Sequence, residues 1–279
     1  METDYQGKCD PGTTQYPEEG WLKGYFYVLP EAEVRGGSRV AVGVWKNIDF
    51  LRLRDCALHA LAPQPGKVIL DVGCADGASM VYCGLQGATV YGQDLSTKYV
   101  ADANKALKHY GIAGEARCGD AADLSFPNNY FDGVISSDFF EHITDDVKVK
   151  VLREILRVLK PGAPLVIKTP NLSYLTLSLY YKRLRAVLRF RNPFNIVIPQ
   201  TPGTDNPEHV GLTTRWRLTR NLVEAGFLNY QFFYAPLRRF GQSNVIDALS
   251  SEIPIARDLL CEDVFCKALK PIALSHFPD

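Results

Sequence analysis

The chain has 279 residues, 46% of them hydrophobic and 22% charged, which is typical of a folded protein large enough to bury a core. Its 31 basic and 31 acidic residues cancel, so no overall field favours nucleic acid and we expect no nucleic-acid partner. Residues 1–10 are acidic and polar, and the uncharged run 169–181 is too short to span a bilayer, which predicts neither export nor a membrane anchor.

The cysteines indicate a reducing environment. They are odd in number, scattered and without a CxxC pair, which is typical of reduced thiols and predicts a cytoplasmic protein. The seven positions are Cys9, Cys56, Cys74, Cys83, Cys118, Cys261 and Cys266.

The N-terminal residues 1–44 are rich in Gly, Pro and Tyr and show no sustained periodicity, which predicts an arm or lid ahead of a domain over 45–279. From Trp45 onward, apolar residues at helical spacing predict a helix that ends at Ala62.

Beyond that helix, short apolar runs alternate with stretches of helical period. Strands buried on both faces form continuous apolar runs, and their alternation with helices predicts an α/β, doubly wound, Rossmann-like sheet. The pattern pauses after the fifth run, which predicts a lid insertion at about 171–210. The runs are 67–73, 88–94, 115–120, 131–137, 164–170, 227–235 and 263–271.

Polar residues follow the first three runs where a parallel sheet binds ligands. Gly73 and Gly77 form a turn into a helix, whose free N–H groups can contact a polar ligand. Asp94 lies 21 residues beyond Gly73, where a carboxylate can accept from ribose hydroxyls, and Asp120 can accept from an adenine amino group. Together these residues predict a nucleoside site.

The charge of the first turn favours a cationic ligand. Asp71 and Asp76 would repel a pyrophosphate, whereas a sulfonium or an ammonium group would be attracted. The glycine spacing also differs from the dinucleotide pattern G-x-G-x-x-G.

Motifs over residues ~64 to ~235 resemble the class I S-adenosylmethionine-dependent methyltransferases. These are VILDVGCADG, YGQDLS, CGDAADLSF, YFDGVISSDFFEHI, EILRVLKPGAPLVIKTPN and HVGLTTRWRLTRNLVEAGF. The resemblance implies a seven-stranded, mostly parallel sheet with an antiparallel last strand. It also implies S-adenosylmethionine as methyl donor and S-adenosylhomocysteine as product.

By that resemblance, Asp71 and Gly73 shape the methionine pocket, Asp94 holds the ribose, and Asp120 with the Ala121 backbone contacts adenine. The family often has glycine where this chain has Ala75, a departure that we expect to leave binding intact. Aromatic residues 21–27 resemble lids that close over the cofactor. Further expected cofactor contacts are Cys74, Gly77, Leu95 and Ser137.

The stretch SSDFFEHIT, residues 136–144, follows the fourth run at one lip of the predicted site. It lacks the Asn/Asp-Pro-Pro-Tyr/Phe motif of enzymes that methylate nucleobase or amide nitrogens. It resembles instead the region in ubiquinone-pathway O-methyltransferases and in small-molecule or glycan-cluster methyltransferases. We therefore expect a small-molecule, glycan-precursor or lipid-linked acceptor, most readily a hydroxyl, with nitrogen and carbon still open.

Three interpretations of this stretch stay open. In the first, Asp138, Glu141 and His142 brace the loop and cap the next helix. In the second, either His142 or His209, with Asp138 beside them, accepts the hydroxyl proton. In the third, all four residues hold a divalent metal that acidifies the hydroxyl. His209 belongs here because its loop leaves the same sheet edge. A non-catalytic cofactor binder and a metal-dependent enzyme on the same fold are the alternatives to methyl transfer.

Residues 172–191 carry leucines at helical spacing and a cationic end. A solvated helix terminus explains this charge through the macrodipole. The alternative is an amphipathic surface for peripheral contact with an anionic membrane or a phosphate-bearing substrate.

Overall fold

A computed structural model describes residues 56–204, 207–234 and 253–272. The predicted arm at 1–44, including the aromatic residues 21–27, lies outside the described residues, as does the beginning of the helix predicted from Trp45. The described end of that helix covers 56–61 and stops at Ala62, which has a left-handed φ of 54°.

Seven strands form one sheet in the order β3-β2-β1-β4-β5-β7-β6. Strand β7 runs antiparallel to both of its neighbours and the other pairings are parallel, which confirms the predicted architecture. The strands are β1 (Val68–Val72), β2 (Thr89–Asp94), β3 (Gly114–Cys118), β4 (Gly133–Ser137), β5 (Pro164–Pro170), β6 (Asn229–Phe233) and β7 (Asp263–Leu269).

Helices cover both faces of this sheet. Successive β1 residues illustrate this, because Ile69 belongs to the hydrophobic cluster on one face and Leu70 to the cluster on the other. The burial of both faces explains why the strands have continuous apolar sequences. The helices are α1 (Ala78–Leu85), α2 (Thr97–His109), α3 (Asp145–Val158), α4 (Leu172–Leu188), α5 (Arg215–Ala225) and α6 (Pro254–Leu260), with short 3₁₀ turns at Phe140–His142 and Pro193–Asn195.

The insertion after β5 leaves at Asn171 and returns at Thr213, where the two residues form an isolated β-bridge. Its helix α4 contacts α6 and the turn at Pro193–Asn195. The leucine spacing does not produce a buried face at the far end of α4, because Leu184 and Leu188 are 60% and 72% exposed. Within the described ranges, no helix combines the length and apolarity needed to cross a membrane.

Candidate active site

A cavity of about 440 Å³ opens at the carboxyl ends of β1, β2 and β4. Its volume falls in the range of small-molecule sites, roughly 300–1,000 Å³. The cavity unites the two halves predicted from sequence, because Asp94 and Asp120 line it together with Asp138 and His142. Its other lining residues are Gly73, Ala75, Gln93, Leu95, Tyr99, Gly119, Ala121, Phe139, Ile143, Val147, Val151 and Glu208.

The turn after β1 is held between β2 and the segment after β4. Gly73 has a φ of 73°, and its N–H donates to the Gln93 carbonyl over 2.9 Å. A Cβ at Gly73 would lie 2.5 Å from Cδ2 of Phe139, so a side chain here would displace that ring. Ala75 adopts a left-handed φ of 44°, a conformation that costs a non-glycine residue about 1 kcal/mol or more. The backbone is therefore strained at Ala75, the position where the family often has glycine.

Asp94 ties this turn to the start of α2. Its Oδ2 accepts from the Ala75 N–H over 3.0 Å, and its Oδ1 accepts from the Ser96 N–H over 2.9 Å. A carboxylate offers about four lone-pair positions, so both oxygens retain capacity for ligand hydroxyls. The ribose role of Asp94 stays a prediction, with the carboxylate placed in the cavity.

The side of the cavity predicted to hold adenine depends on Gln93, a buried residue that sequence reasoning missed. Its Nε2 donates to the Asp120 carbonyl over 2.6 Å and to the Asp123 carbonyl over 3.2 Å. Asp120 Oδ1 accepts from the Ala122 N–H over 2.9 Å, which fixes the turn. The available signal was a polar side chain at the end of an otherwise apolar strand.

Four predicted cofactor residues do not line the cavity: Asp71, Cys74, Gly77 and Ser137. Asp71 and Cys74 are buried behind the turn, where burial and the charge of Asp71 raise the pKa of the Cys74 thiol far above its usual value. Gly77 is the N-cap of α1, with a φ of 82°. The other predicted cofactor residues, Gly73, Asp94, Leu95, Asp120 and Ala121, line the cavity.

At the opposite predicted part of the site, after β4, Asp138 forms an ion pair with a lysine that sequence reasoning also missed. Asp138 has a φ of 55°, and its Oδ1 lies 2.5 Å from Nζ of Lys168. Lys168 is buried in β5 and lies 3.7 Å from Oδ2 of Asp263. Burial raises the pKa of Asp263 to about 6 against the attraction of Lys168.

Glu141 is almost completely buried beneath the lip of the cavity, with 2% of its surface exposed. Its Oε2 accepts from the hydroxyl of Thr169 over 2.9 Å. Burial, together with repulsion from Asp138, raises the pKa of Glu141 to about 8. The side chain is therefore a neutral acid at pH 7.

A second connection brings His209 to the lip. The Gly211 N–H donates to the Glu141 carbonyl over 2.8 Å, and buried Lys148 donates from Nζ to the Gly211 carbonyl. The rings of His142 and His209 consequently contact each other edge to face, with centroids 4.9 Å apart. Burial and the neighbouring His142 lower the pKa of His209. His142 lines the cavity, whereas His209 lies behind it.

Three of the four predicted metal ligands come together. One ligand atom each from Glu141, His142 and His209 lies within 4.8 Å of the others. Asp138 is not in this group, and its carboxylate pairs with Lys168 instead. Two imidazoles and a carboxylate suit a divalent transition metal, provided that metal binding displaces the Glu141 proton.

Comparisons with known proteins agree with this geometry. Residues 70–167 match the family model described as "Methyltransferase domain". The norajmaline N-methyltransferase of Rauvolfia serpentina is 36% identical over 166 residues, which cover 58% of this chain and 49% of that protein. The 2-methyl-6-phytyl-1,4-hydroquinone methyltransferase of Synechocystis sp. is 34% identical over 169 residues, 56% of this chain and 49% of that protein.

The chain thus spans about half the length of these curated relatives. A solved S-adenosylmethionine-dependent methyltransferase from Methanosarcina mazei superimposes with a TM-score of 0.53 at 22% identity, covering 75% of this chain and 94% of that one. At this identity the superposition speaks for the fold alone.

Proposed function

Because the chain belongs to the class I S-adenosylmethionine-dependent methyltransferases, we propose that it transfers the methyl group of S-adenosylmethionine to a hydroxyl of a small-molecule acceptor. One observation carries this proposal: Asp94 and Asp120 share a single cavity with His142. The acids proposed to bind the cofactor and a histidine that can take a proton therefore face the same cavity.

The residues present fit the cofactor. Asp94 would accept from the ribose hydroxyls and Asp120, with the Ala121 backbone, would contact adenine, since both acids face the cavity and retain lone pairs. Bound S-adenosylmethionine supplies a methyl group on a cationic sulfonium. The acidic residues around the turn would favour that positive charge, and the cavity would hold the acceptor in line with it.

His142 is the proton acceptor in this proposal. Removing a proton from a hydroxyl calls for a base that titrates near neutral pH, and histidine is the common choice. Asp138 is fixed by Lys168 on the same wall, where its carboxylate can orient the acceptor hydroxyl or stabilise protonated His142. His209 contacts His142 edge to face, and in this proposal it helps to orient the His142 ring.

The proposed acceptor class draws on the relatives and on the fold. The printed names norajmaline N-methyltransferase and 2-methyl-6-phytyl-1,4-hydroquinone methyltransferase indicate small-molecule acceptors for those relatives. We include glycan-precursor and lipid-linked hydroxyl acceptors in the proposal, because α4, with its exposed apolar side chains, directly follows β5 at the sheet edge where the cavity opens. A cytoplasmic location is part of the same proposal, and no disulfide joins the six described cysteines.

Titration calorimetry with S-adenosylmethionine and S-adenosylhomocysteine tests the cofactor half. Asp94→Ala is expected to weaken both ligands by roughly 10- to 150-fold, because a charged acceptor of hydrogen bonds is worth roughly 1.5–3 kcal/mol. Asp102→Ala, on α2 and outside the cavity, is the matched control and should bind as the unmodified protein does. Equal affinity of all three proteins would contradict the assignment.

Release of S-adenosylhomocysteine across a panel of phenols, hydroquinones and sugar hydroxyls tests turnover. We expect His142→Gln to bind the cofactor normally and to lose ~10²-fold or more in rate, with the loss shrinking at high pH where hydroxide replaces the base. Cofactor binding without product, across the whole panel, would instead favour the non-catalytic alternative.

A second candidate is a divalent-metal centre at Glu141, His142 and His209, favoured by the convergence of their ligand atoms. A metal there would acidify the bound hydroxyl, with the three side chains holding it. Metal analysis of purified protein, with His209→Ala and Glu141→Gln as paired variants, tests this idea. Absence of bound metal together with insensitivity to chelator would remove it.

A further inference from the structure

Helix α4 and the residues that follow it present an unusual number of apolar side chains to solvent. Phe190 is 99% exposed and Phe194 is 78% exposed. Scattered exposed leucines are ordinary, but a contiguous apolar patch marks an interaction site. The exposed members, named here the α4 surface, are Leu177, Tyr180, Tyr181, Leu184, Val187, Leu188, Phe190, Phe194 and Val197.

The same segment concentrates positive charge in a chain whose overall charge is zero. Residues 171–204 contain five cations and not a single Asp or Glu. Among the described residues, no carboxylate forms an ion pair with any of the five. The dipole at a helix C-terminus is equivalent to roughly half an elementary negative charge, so five cations exceed what it explains. The cations are Lys182, Arg183, Arg185, Arg189 and Arg191.

Four of these cations converge on one shallow cavity of about 340 Å³. Ala186 forms its floor and Ile196, from the returning chain, forms its wall. Arg183 donates to the Ile196 carbonyl over 3.1 Å, which holds that wall against the helix. The lining cations are Lys182, Arg185, Arg189 and Arg191, a set that matches a phosphate group.

The base of α4 is firmly attached to the domain. Nδ2 of Asn171 donates to the carbonyls of Asp258 and Cys261, each over 2.9 Å. The helix therefore projects from the acceptor side of the sheet as a fixed element, directly after β5, which also carries Lys168.

We propose that the α4 surface binds an anionic lipid bilayer, with a lipid phosphate in the cationic cavity and the exposed aromatic and aliphatic side chains in the headgroup region. Apolar and cationic side chains on one short segment are typical of interfacial helices, whose binding combines hydrophobic burial with attraction to anionic lipid. Neither a free phosphate ion nor an acidic soluble protein accounts for Phe190 and Phe194 together with the charge. The proposal is independent of methyl transfer and holds whether or not the cavity is catalytic.

Vesicle co-sedimentation of the full chain tests this proposal. We expect binding to vesicles of phosphatidylglycerol and phosphatidylcholine, little binding to phosphatidylcholine alone, and weakening as salt is raised. Arg185→Glu/Arg189→Glu should reduce partition into anionic vesicles by at least ~10-fold. Lys108→Glu/Lys150→Glu makes the same change of charge at exposed positions of α2 and α3, and should bind as the unmodified chain does.

A second pair of variants tests the apolar contribution. Leu184→Gln/Leu188→Gln should weaken vesicle binding with the salt dependence preserved, and both positions are exposed, so the fold should tolerate them. Light scattering at increasing protein concentration serves as the counter-test. Equal binding of Arg185→Glu/Arg189→Glu and its control would overturn the proposal. A dimer detected by light scattering, in a protein that does not bind vesicles, would also overturn the proposal if Leu184→Gln/Leu188→Gln dissociates that dimer.

Discussion

Replacing Glu141 with Gln should make the protein more stable at neutral pH. Glu141 is 2% exposed and its pKa is raised to about 8, so the folded protein holds a proton that the unfolded chain releases near pH 4.5. A glutamine side chain has nearly the shape of the neutral acid. Its carbonyl can keep the hydrogen bond from Thr169, and it has no charge to bury.

The magnitude follows from proton linkage. Between the unfolded and folded pKa values, the native state binds one more proton than the unfolded state, so stability falls by about 1.4 kcal/mol per pH unit as pH rises. From pH 6 to pH 7.5 the loss due to Glu141 is therefore about 2 kcal/mol. Asp263 contributes mainly below this window, because its pKa is raised only to about 6.

His209 acts in the opposite direction. The pKa of His209 is lowered in the folded protein, so near the ordinary pKa of histidine the unfolded chain binds more protons than the folded chain. The free energy of unfolding therefore rises with pH in that range. The difference between the unmodified protein and Glu141→Gln cancels this contribution and isolates Glu141.

Urea unfolding at pH 6.0 and pH 7.5, in the presence of chelator, gives the free energies that are needed. On going from pH 6.0 to pH 7.5, the free energy of unfolding of Glu141→Gln should rise by about 2 kcal/mol relative to that of the unmodified protein. Glu224→Gln, the same chemical change at a side chain that is 56% exposed, should gain nothing. A Glu141→Gln variant that tracks the unmodified protein at both pH values would refute the reasoning.

Two further substitutions test the supports of the lip. Lys168→Met should lower the free energy of unfolding by about 3–5 kcal/mol, since it removes the cation from buried Asp263 and half-buried Asp138. Lys150→Met at an exposed site should change the free energy little, and similar urea midpoints of the two variants would argue against the network. Gly211→Ala places a Cβ 1.8 Å from the Ile143 carbonyl oxygen, so we expect a loss of about 2 kcal/mol or more and altered NMR shifts of the His142 and His209 rings. A Cβ at Gly111 would meet nothing within 4 Å, so Gly111→Ala should cost only the strain of its positive φ, about 1 kcal/mol. An equal loss of stability in the two variants would contradict the close approach of Gly211 to the Ile143 carbonyl.

The sequence predicts the sheet well because its signals are local. Each strand is a short apolar run and each ligand-facing residue, such as Asp94 or Asp120, directly follows one. Parallel strands end at the same edge, so these positions meet without any knowledge of side-chain contacts.

The network beneath the lip could not be predicted in this way. Lys168 lies inside an apolar run and pairs with Asp138, 30 residues earlier, across two neighbouring strands. Lys148 reaches Gly211, 63 residues later, through the return of the insertion. Such pairings depend on which strands and loops are neighbours, and a charged residue in a sequence is ordinarily expected at the surface.

The position of β7 has a consequence for the synthesis of the chain. Strand β7 lies between β5 and β6 in the sheet but follows both in sequence, and it is the only described partner of β6. While the nascent chain emerges, the outer edge of β5 stays unpaired and Lys168 lacks Asp263 until residues 263–269 leave the ribosome. Unpaired strand edges attract other strands, so this interval is where a chaperone or an aggregating neighbour competes with folding. The last strand therefore closes the sheet and completes the ion-pair cluster around Lys168 in the same step.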